Sequence, residues 1–160
     1  AVIGTGASAI QFVPEIQPKV KHLTLFQRTP QWVLPKPDHP IPKLEENFFR
    51  LPFTLNAWRK TLYGGFETFG IGFRKPALLR QIQKLGEAHI RLAIKDPALR
   101  DKLTPDYTLG CKRVLMSNQY YPALNQGNVD VFATGLQEVR GNTLVGQDGS
   151  ECEVDTIILG

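Results

Sequence analysis

The sequence begins with AVIGTGASAIQ, in which glycine recurs at short spacing. Gly4, Gly6 and Ala9 fit the GxGxxG/A pattern of dinucleotide-binding turns. Gly4 permits a tight turn, Gly6 lets backbone amides approach a pyrophosphate, and Ala9 keeps the following helix close to the preceding strand. The N–H groups at the start of that helix carry a partial charge of about +0.5 e, which attracts phosphate. The pattern predicts a dinucleotide site; the alternative is a turn that only packs a strand on a helix.

A second candidate site follows at Gln27, Arg28 and Thr29. In dinucleotide-binding folds an acidic residue at the end of the second strand, about 20 residues after the glycines, binds the ribose 2′-OH of NAD or FAD. This sequence has no acid there. A guanidinium binds a 2′-phosphate bidentately, whereas an aspartate would repel it. We therefore expect Arg28, helped by Thr29, to select NADP(H); the alternative is an exposed arginine at a strand end that binds nothing.

These residues need a strand, a turn, a helix and a second strand to position them. The first 28 residues predict that order: an apolar strand AVI, the glycine turn, a helix from about Ala7 to Ile16, and the strand HLTLFQR. After a proline-rich connection, a helical insertion is predicted at about 43–102, with interruptions at Gly64, Gly65, Gly70 and Gly72. RVLM and VDVFA predict short strands. The stretch LQEVRGNTLVGQDGSECEVDTIILG predicts a meander with turns at Gly141-Asn142 and Asp148-Gly149.

Composition narrows the class of protein. The chain has 160 residues, 42% hydrophobic and 21% charged, which is typical of one globular domain. No segment has the run of about 18 apolar residues that spans a bilayer, and none reads as a signal peptide, so we expect a cytoplasmic protein without a membrane partner. The net charge of +4 is scattered, which argues against nucleic acid. Cys111 and Cys152 lack metal or redox spacing, so no metal site is predicted.

Aromatic residues cluster within the predicted insertion. Trp58, Phe66, Phe69 and Phe73 could line a substrate entrance or pack in a core. Their helical spacing favours core packing.

Several stretches taken together resemble the Baeyer–Villiger flavoprotein monooxygenases. They are GTGASAIQ at 4–11, FQRTPQW at 26–32, LTPDYTLGCKR at 103–113 with YYPAL at 120–124, and the closing VDTIILG. In that family an FAD domain and an NADP domain share one polypeptide. NADPH reduces the flavin, O2 forms a flavin C4a-peroxide, and the peroxide inserts oxygen beside the carbonyl of a ketone to give an ester or lactone.

The resemblance implies a fold, partners and cofactors for residues 1–160. The fold is α/β, a Rossmann-like three-layer dinucleotide-binding domain with a helical insertion and a β-meander, from a flavoprotein with two dinucleotide-binding domains. The cofactors are NADP(H) and an FAD bound mainly by other parts of the enzyme. The partners are a small ketone, O2 and the FAD domain of the same polypeptide. The family's FAD glycine motif and aromatic-His-Trp fingerprint are absent, so we expect a domain of a longer enzyme that is inactive alone.

The resemblance also implies roles for individual residues. Arg28, Thr29 and Lys112 are similar to the residues that grip the adenosine 2′-phosphate, and Arg113 falls where the family carries an arginine beside the flavin. A permanently charged guanidinium suits a developing anion, although Lys112 and Arg113 could also be plain surface charges. The residues expected to bind the rest of the cofactor are those of the opening turn: Gly4, Thr5, Gly6, Ala7, Ser8, Ala9 and Gln11.

Two other functions stay open at this point. One is a related flavin monooxygenase that oxidises nitrogen or sulfur nucleophiles. The other is a non-catalytic nucleotide-binding redox module, because one fold can serve many functions.

Overall fold

The computed structural model describes residues 1–72 and 76–160. The chain forms two compact units, one made of Ala1–Lys36 with Gln83–Gly160 and the other of Pro37–Ile82. The strands are β1 (Val2–Ile3), β2 (Leu23–Phe26), β3 (Val33–Leu34), β4 (Leu115–Met116), β5 (Val129–Phe132), β6 (Leu136–Arg140), β7 (Thr143–Gly146), β8 (Glu151–Glu153) and β9 (Ile158–Leu159). The helices are α1 (Ala9–Ile16), α2 (Lys43–Phe49), α3 (Pro52–Gly72), α4 (Pro76–Ala93), α5 (Pro97–Leu103) and α6 (Tyr120–Leu124), with a 3₁₀ helix at Gln17–Lys19.

A parallel sheet with the order β5-β2-β1-β9 forms the centre of the first unit. Val2 of β1 pairs with Leu25 of β2 on one side and with Ile158 of β9 on the other. The chain thus continues from β1 to one neighbour, while the other neighbour comes from the far end of the sequence. Open α/β sheets bind ligands beyond the carboxyl ends of their strands, where the strand order reverses in this way. The glycine turn follows β1 at that edge.

The apolar strands account for this sheet. Every residue of β2 is buried, as expected for a parallel strand covered on both faces. The strand predicted over HLTLFQR is shorter in the structure, where β2 spans Leu23–Phe26. His22 and Arg28 lie outside β2 and are exposed. The predicted helix start at Ala7 is wrong: Ala7 and Ser8 lie in a turn, and α1 begins at Ala9.

The helical stretch predicted at 43–102 corresponds to α2, α3, α4 and α5. The predicted interruptions at Gly64, Gly65 and Gly70 are wrong, because α3 continues through all three and ends at Gly72. A glycine costs a helix about 1 kcal/mol relative to alanine but keeps its N–H donor, which proline does not. The second compact unit ends at Ile82, so residues 83–102 belong to the first unit.

Two of the aromatic residues singled out in α3, Trp58 and Phe66, are not in a core. Trp58 is 45% exposed and Phe66 is 63% exposed, so the prediction of core packing is wrong for both. Phe73 lies outside the described residues, as does the side chain of Phe69.

The predicted meander forms an antiparallel sheet of β6, β7 and β8. Its turns contain Gly141 with φ +60° and Gly149 with φ +82°, as the two glycine turns predicted. The final strand is an exception, because β9 leaves the meander and pairs in parallel with β1. A second small sheet pairs β3 with β4 in parallel. Among the residues described, no helix combines the length and the apolar character required to cross a bilayer.

Candidate functional site

The glycine turn is fixed by both neighbours of β1. Gly4 has φ +107°, in the region that favours glycine, and its N–H donates to the Phe26 carbonyl of β2 over 3.0 Å. A Cβ at Gly4 would collide with the carbonyl oxygen of Gly160, which follows β9. The Gly160 N–H donates to the Ile3 carbonyl over 2.9 Å. The turn therefore lies between the ends of β2 and β9 and leaves no space for a side chain at Gly4.

Backbone donors lie free at the start of α1. In the described part of the chain, the N–H groups of Gly6, Ala7, Ser8 and Ala9 have no hydrogen-bond acceptor. Ala7, Ser8 and Gln11 are exposed, whereas Ala9 is fully buried. A Cβ at Gly6 would approach Gly160 no closer than 3.7 Å, so packing inside the chain does not require glycine there. Because Gly6 has no side chain and the N–H groups of Gly6, Ala7 and Ser8 are free and accessible, the turn fits the close approach of a pyrophosphate.

Directly after β2, a buried glutamine is followed by an exposed arginine. Gln27 is 2% exposed; its N–H donates to the Phe132 carbonyl and its side-chain amide to the Lys102 carbonyl, each over 2.8 Å. Arg28 is exposed and has no hydrogen bond or ion pair to any described residue. The Thr5 hydroxyl, in the glycine turn, donates to the Thr29 carbonyl over 3.3 Å. The two predicted sites are therefore in direct contact.

A loop from Thr104 to Arg113 brings further cations to the same region. The Tyr107 hydroxyl lies 3.0 Å from the Pro30 carbonyl oxygen and 3.2 Å from the Gln31 Oε1 atom. Lys112 Nζ lies 4.6 Å from the centroid of the Tyr107 ring. Lys112 is thereby held near the chain segment that begins with Arg28 and Thr29.

Arg113 is exposed and follows Lys112 directly. The next strand, β4, begins at Leu115, whose N–H donates to the Trp32 carbonyl over 3.0 Å. Arg113 therefore lies between Lys112 and the small β3–β4 sheet. It forms no hydrogen bond or ion pair with another described residue, so its guanidinium is free to bind a partner. Within residues 1–72 and 76–160 there is no group of three His, Cys, Asp or Glu residues that could hold a metal ion.

Two residues to which the sequence assigned no role complete this region. Tyr107 joins the loop to the end of β2, and Gly160 closes on Gly4. Burial raises the pKa of the Tyr107 phenol above its ordinary value, at which the phenol is already protonated and able to donate at neutral pH. The sequence could have indicated Gly160, because this glycine follows a short apolar strand just as Gly4 does. Tyr107 lies in the stretch LTPDYTLGCKR, but no local pattern indicated its contacts, because its partners are distant in the chain.

Searches against known proteins place these features in context. No family model matches the chain. Over its whole length the chain is 55% identical to a Baeyer–Villiger monooxygenase of Streptomyces coelicolor and 53% identical to one of Pseudomonas aeruginosa. It spans 31% of the length of each of these relatives.

Solved structures agree on the fold. An open crystal structure of cyclohexanone monooxygenase matches 99% of the chain with a TM-score of 0.77 at 23% identity, and the match spans 38% of that protein. An oxidized steroid monooxygenase bound to NADP matches 99% of the chain with a TM-score of 0.76 at 24% identity, over 37% of its length. The predicted α/β Rossmann-like fold is confirmed. The resemblance of this chain to the Baeyer–Villiger flavoprotein monooxygenases is likewise confirmed, over a segment that makes up 31% of its relatives.

Proposed function

We propose that this chain is the NADPH-binding domain of a flavin-dependent monooxygenase that inserts one oxygen atom of O2 into ketones. One observation carries the proposal. The glycine turn contacts the segment after β2 through the bond from Thr5 to Thr29, and Tyr107 contacts both Pro30 of that segment and the Lys112 side chain. The 55% identity to a Baeyer–Villiger monooxygenase supports the choice of reaction.

The opening turn would hold the pyrophosphate. The N–H groups of Gly6, Ala7 and Ser8 are free to donate to phosphate oxygens, and the α1 dipole adds a favourable field. Thr5 contributes mainly through its bond to Thr29, because its hydroxyl is turned inward. The exposed Ser8 and Gln11 side chains remain available to the cofactor.

The end of β2 would recognise the 2′-phosphate. The Arg28 guanidinium provides a planar fork of donors that matches phosphate geometry. Lys112 supplies a second positive charge from the loop between Thr104 and Arg113. With no acid at this position, nothing repels the extra phosphate of NADPH. These charges favour NADPH over NADH.

Bound NADPH supplies a hydride to the flavin, which in its reduced form lets the enzyme use O2. Arg113 is the catalytic residue in this proposal. Its guanidinium stays charged at every physiological pH, so it holds a fixed positive charge toward negative charge that develops during oxygen transfer. The flavin and the ketone are held mainly by other parts of the polypeptide, including its FAD domain. The proposed enzyme works in the cytoplasm, and the free thiols of Cys111 and Cys152 are compatible with a reducing compartment.

Product analysis with the full-length protein tests this proposal. The protein is mixed with NADPH, O2 and either a cyclic ketone or an alkyl aryl sulfide. We expect flavin reduction by NADPH and conversion of the ketone to a lactone. A sulfoxide with no lactone would instead assign the enzyme to nitrogen and sulfur oxidation. Absence of NADPH-dependent flavin reduction would assign the chain to a non-catalytic nucleotide-binding module.

A further inference from the structure

Tyr107 contacts both chain segments that carry the proposed 2′-phosphate ligands. Its hydroxyl lies 3.0 Å from the Pro30 carbonyl oxygen, one residue beyond Thr29, and 3.2 Å from Gln31 Oε1. Its ring lies under Lys112 Nζ, 4.6 Å from the centroid. One side chain therefore ties the end of β2 to the loop that carries Lys112.

The position of Tyr107 is itself fixed from the core. Its backbone carbonyl accepts a hydrogen bond of 2.9 Å from the Trp32 indole N–H, and Trp32 is 2% exposed. Farther along the loop, the fully buried Leu109 donates its N–H to the Gln83 Oε1 atom over 3.2 Å. With the loop anchored at both points, the ring has little freedom to move away from Pro30.

The two contacts of Tyr107 act on different groups. The hydroxyl bond holds the loop against the Pro30 carbonyl, and the phenol is protonated at neutral pH, so it can donate that bond. The ring face attracts the Lys112 ammonium and restricts a long, flexible side chain. Without the ring, Lys112 would sample many rotamers, and ordering it on a phosphate would cost more side-chain entropy.

We infer that Tyr107 is a positioning residue that sets the preference for NADPH over NADH, by holding Lys112 beside Arg28 and Thr29. The inference rests on the proposed function of this site. Tyr107 does not itself contact the phosphate; it acts by organising the two cations that do. Its effect should therefore fall on NADPH, which carries the 2′-phosphate, and spare NADH, which lacks it.

The test compares cofactor affinities in the full-length protein, measured by anaerobic flavin reduction with NADPH and with NADH. In Tyr107→Phe the ring and its packing remain while the hydroxyl bond is lost. We expect the Kd for NADPH to rise about three- to tenfold, as for the loss of one hydrogen bond, with the Kd for NADH and both maximal reduction rates unchanged. Tyr107→Leu, which also removes the aromatic ring, should raise the Kd for NADPH further. Tyr63 is an exposed tyrosine on α3, so Tyr63→Phe is the matched control. It should change neither the Kd for NADPH nor the Kd for NADH.

A double-mutant cycle with Lys112→Ala separates positioning from general stability. In the Lys112→Ala background, Tyr107→Leu should raise the NADPH Kd by a smaller factor than it does in the wild type, because its target is gone. Equal losses of NADPH and NADH affinity, full additivity, or an unchanged ratio in Tyr107→Phe would each overturn the role of Tyr107. A wild-type protein with no preference for NADPH would overturn the proposed 2′-phosphate site as well.

Discussion

Replacing Gly4 with alanine tests whether the turn is held between β2 and β9 as the structure shows. The added Cβ faces two obstacles. Gly4 has φ +107°, which an L-residue rarely adopts, and the Cβ would collide with the carbonyl oxygen of Gly160. That oxygen belongs to the backbone and cannot rotate away as a side chain could. The backbone of Gly160 is also held in place, because its N–H donates to the Ile3 carbonyl over 2.9 Å.

The expected loss of stability is the sum of these two effects. The positive φ costs an alanine about 1–2 kcal/mol. Moving Gly160 away would weaken its hydrogen bond to Ile3, which adds about 0.5–1.5 kcal/mol. We therefore expect Gly4→Ala to lower the free energy of unfolding by about 1.5–3.5 kcal/mol. NADPH binding should weaken too, because the shifted turn misplaces the N–H groups of Gly6 and Ala7.

Gly149→Ala is the matched control. Gly149 also has positive φ, +82°, but no atom lies within 4 Å of its added Cβ, so only the conformational cost of about 1–2 kcal/mol applies. Urea unfolding followed by circular dichroism gives the two losses of stability side by side. If Gly4→Ala is no more destabilising than Gly149→Ala, the close approach of β9 to the turn is refuted.

Three further predictions concern the cofactor site and the core. Arg28→Ala should lower the preference for NADPH over NADH about tenfold or more, through loss of charge-assisted hydrogen bonds; an unchanged ratio of Kd values would contradict the assignment. Arg113→Ala should keep flavin reduction by NADPH but slow lactone formation by about 10²–10³, measured by gas chromatography, and a normal rate would exclude the catalytic role. Gly86→Ala places a Cβ 3.0 Å from the Trp32 ring, at a cost of about 1–3 kcal/mol, but it also gains about 1 kcal/mol because Gly86 lies in α4, so urea unfolding should show a net loss of about 0–2 kcal/mol. Gly64→Ala, with nothing within 4 Å, should instead stabilise α3 by about 1 kcal/mol, and equal effects would refute the packing argument.

The glycine turn between β1 and α1 was predictable because its signals are local. The spacing of Gly4, Gly6 and Ala9, the apolar residues on each side and the cation at Arg28 all lie within a short stretch. Strand, turn and helix propensities act over such distances, so a βαβ order follows from them. The start of α1 was placed too early because Ala7 suits a helix, yet it lies in the turn.

Helix α3 shows where local signals fail to predict the structure. Glycine is a weak helix former, so Gly64, Gly65 and Gly70 predicted breaks. Each keeps its backbone N–H, and the helix continues through all of them. The exposure of Trp58 and Phe66 could not be predicted either, because periodicity identifies an apolar face without showing what covers it.

By itself the sequence determined that this chain is an α/β protein with a glycine-rich turn after its first strand and a cation where NAD-binding folds have an acid. Only the tertiary structure decided which distant segments complete the site. Gly160 meets Gly4 because β9 pairs with β1 rather than continuing the meander, and Tyr107 reaches Pro30 across 77 positions of sequence. Such pairings depend on which buried surfaces fit together along the whole chain, and no local pattern of residues specifies them.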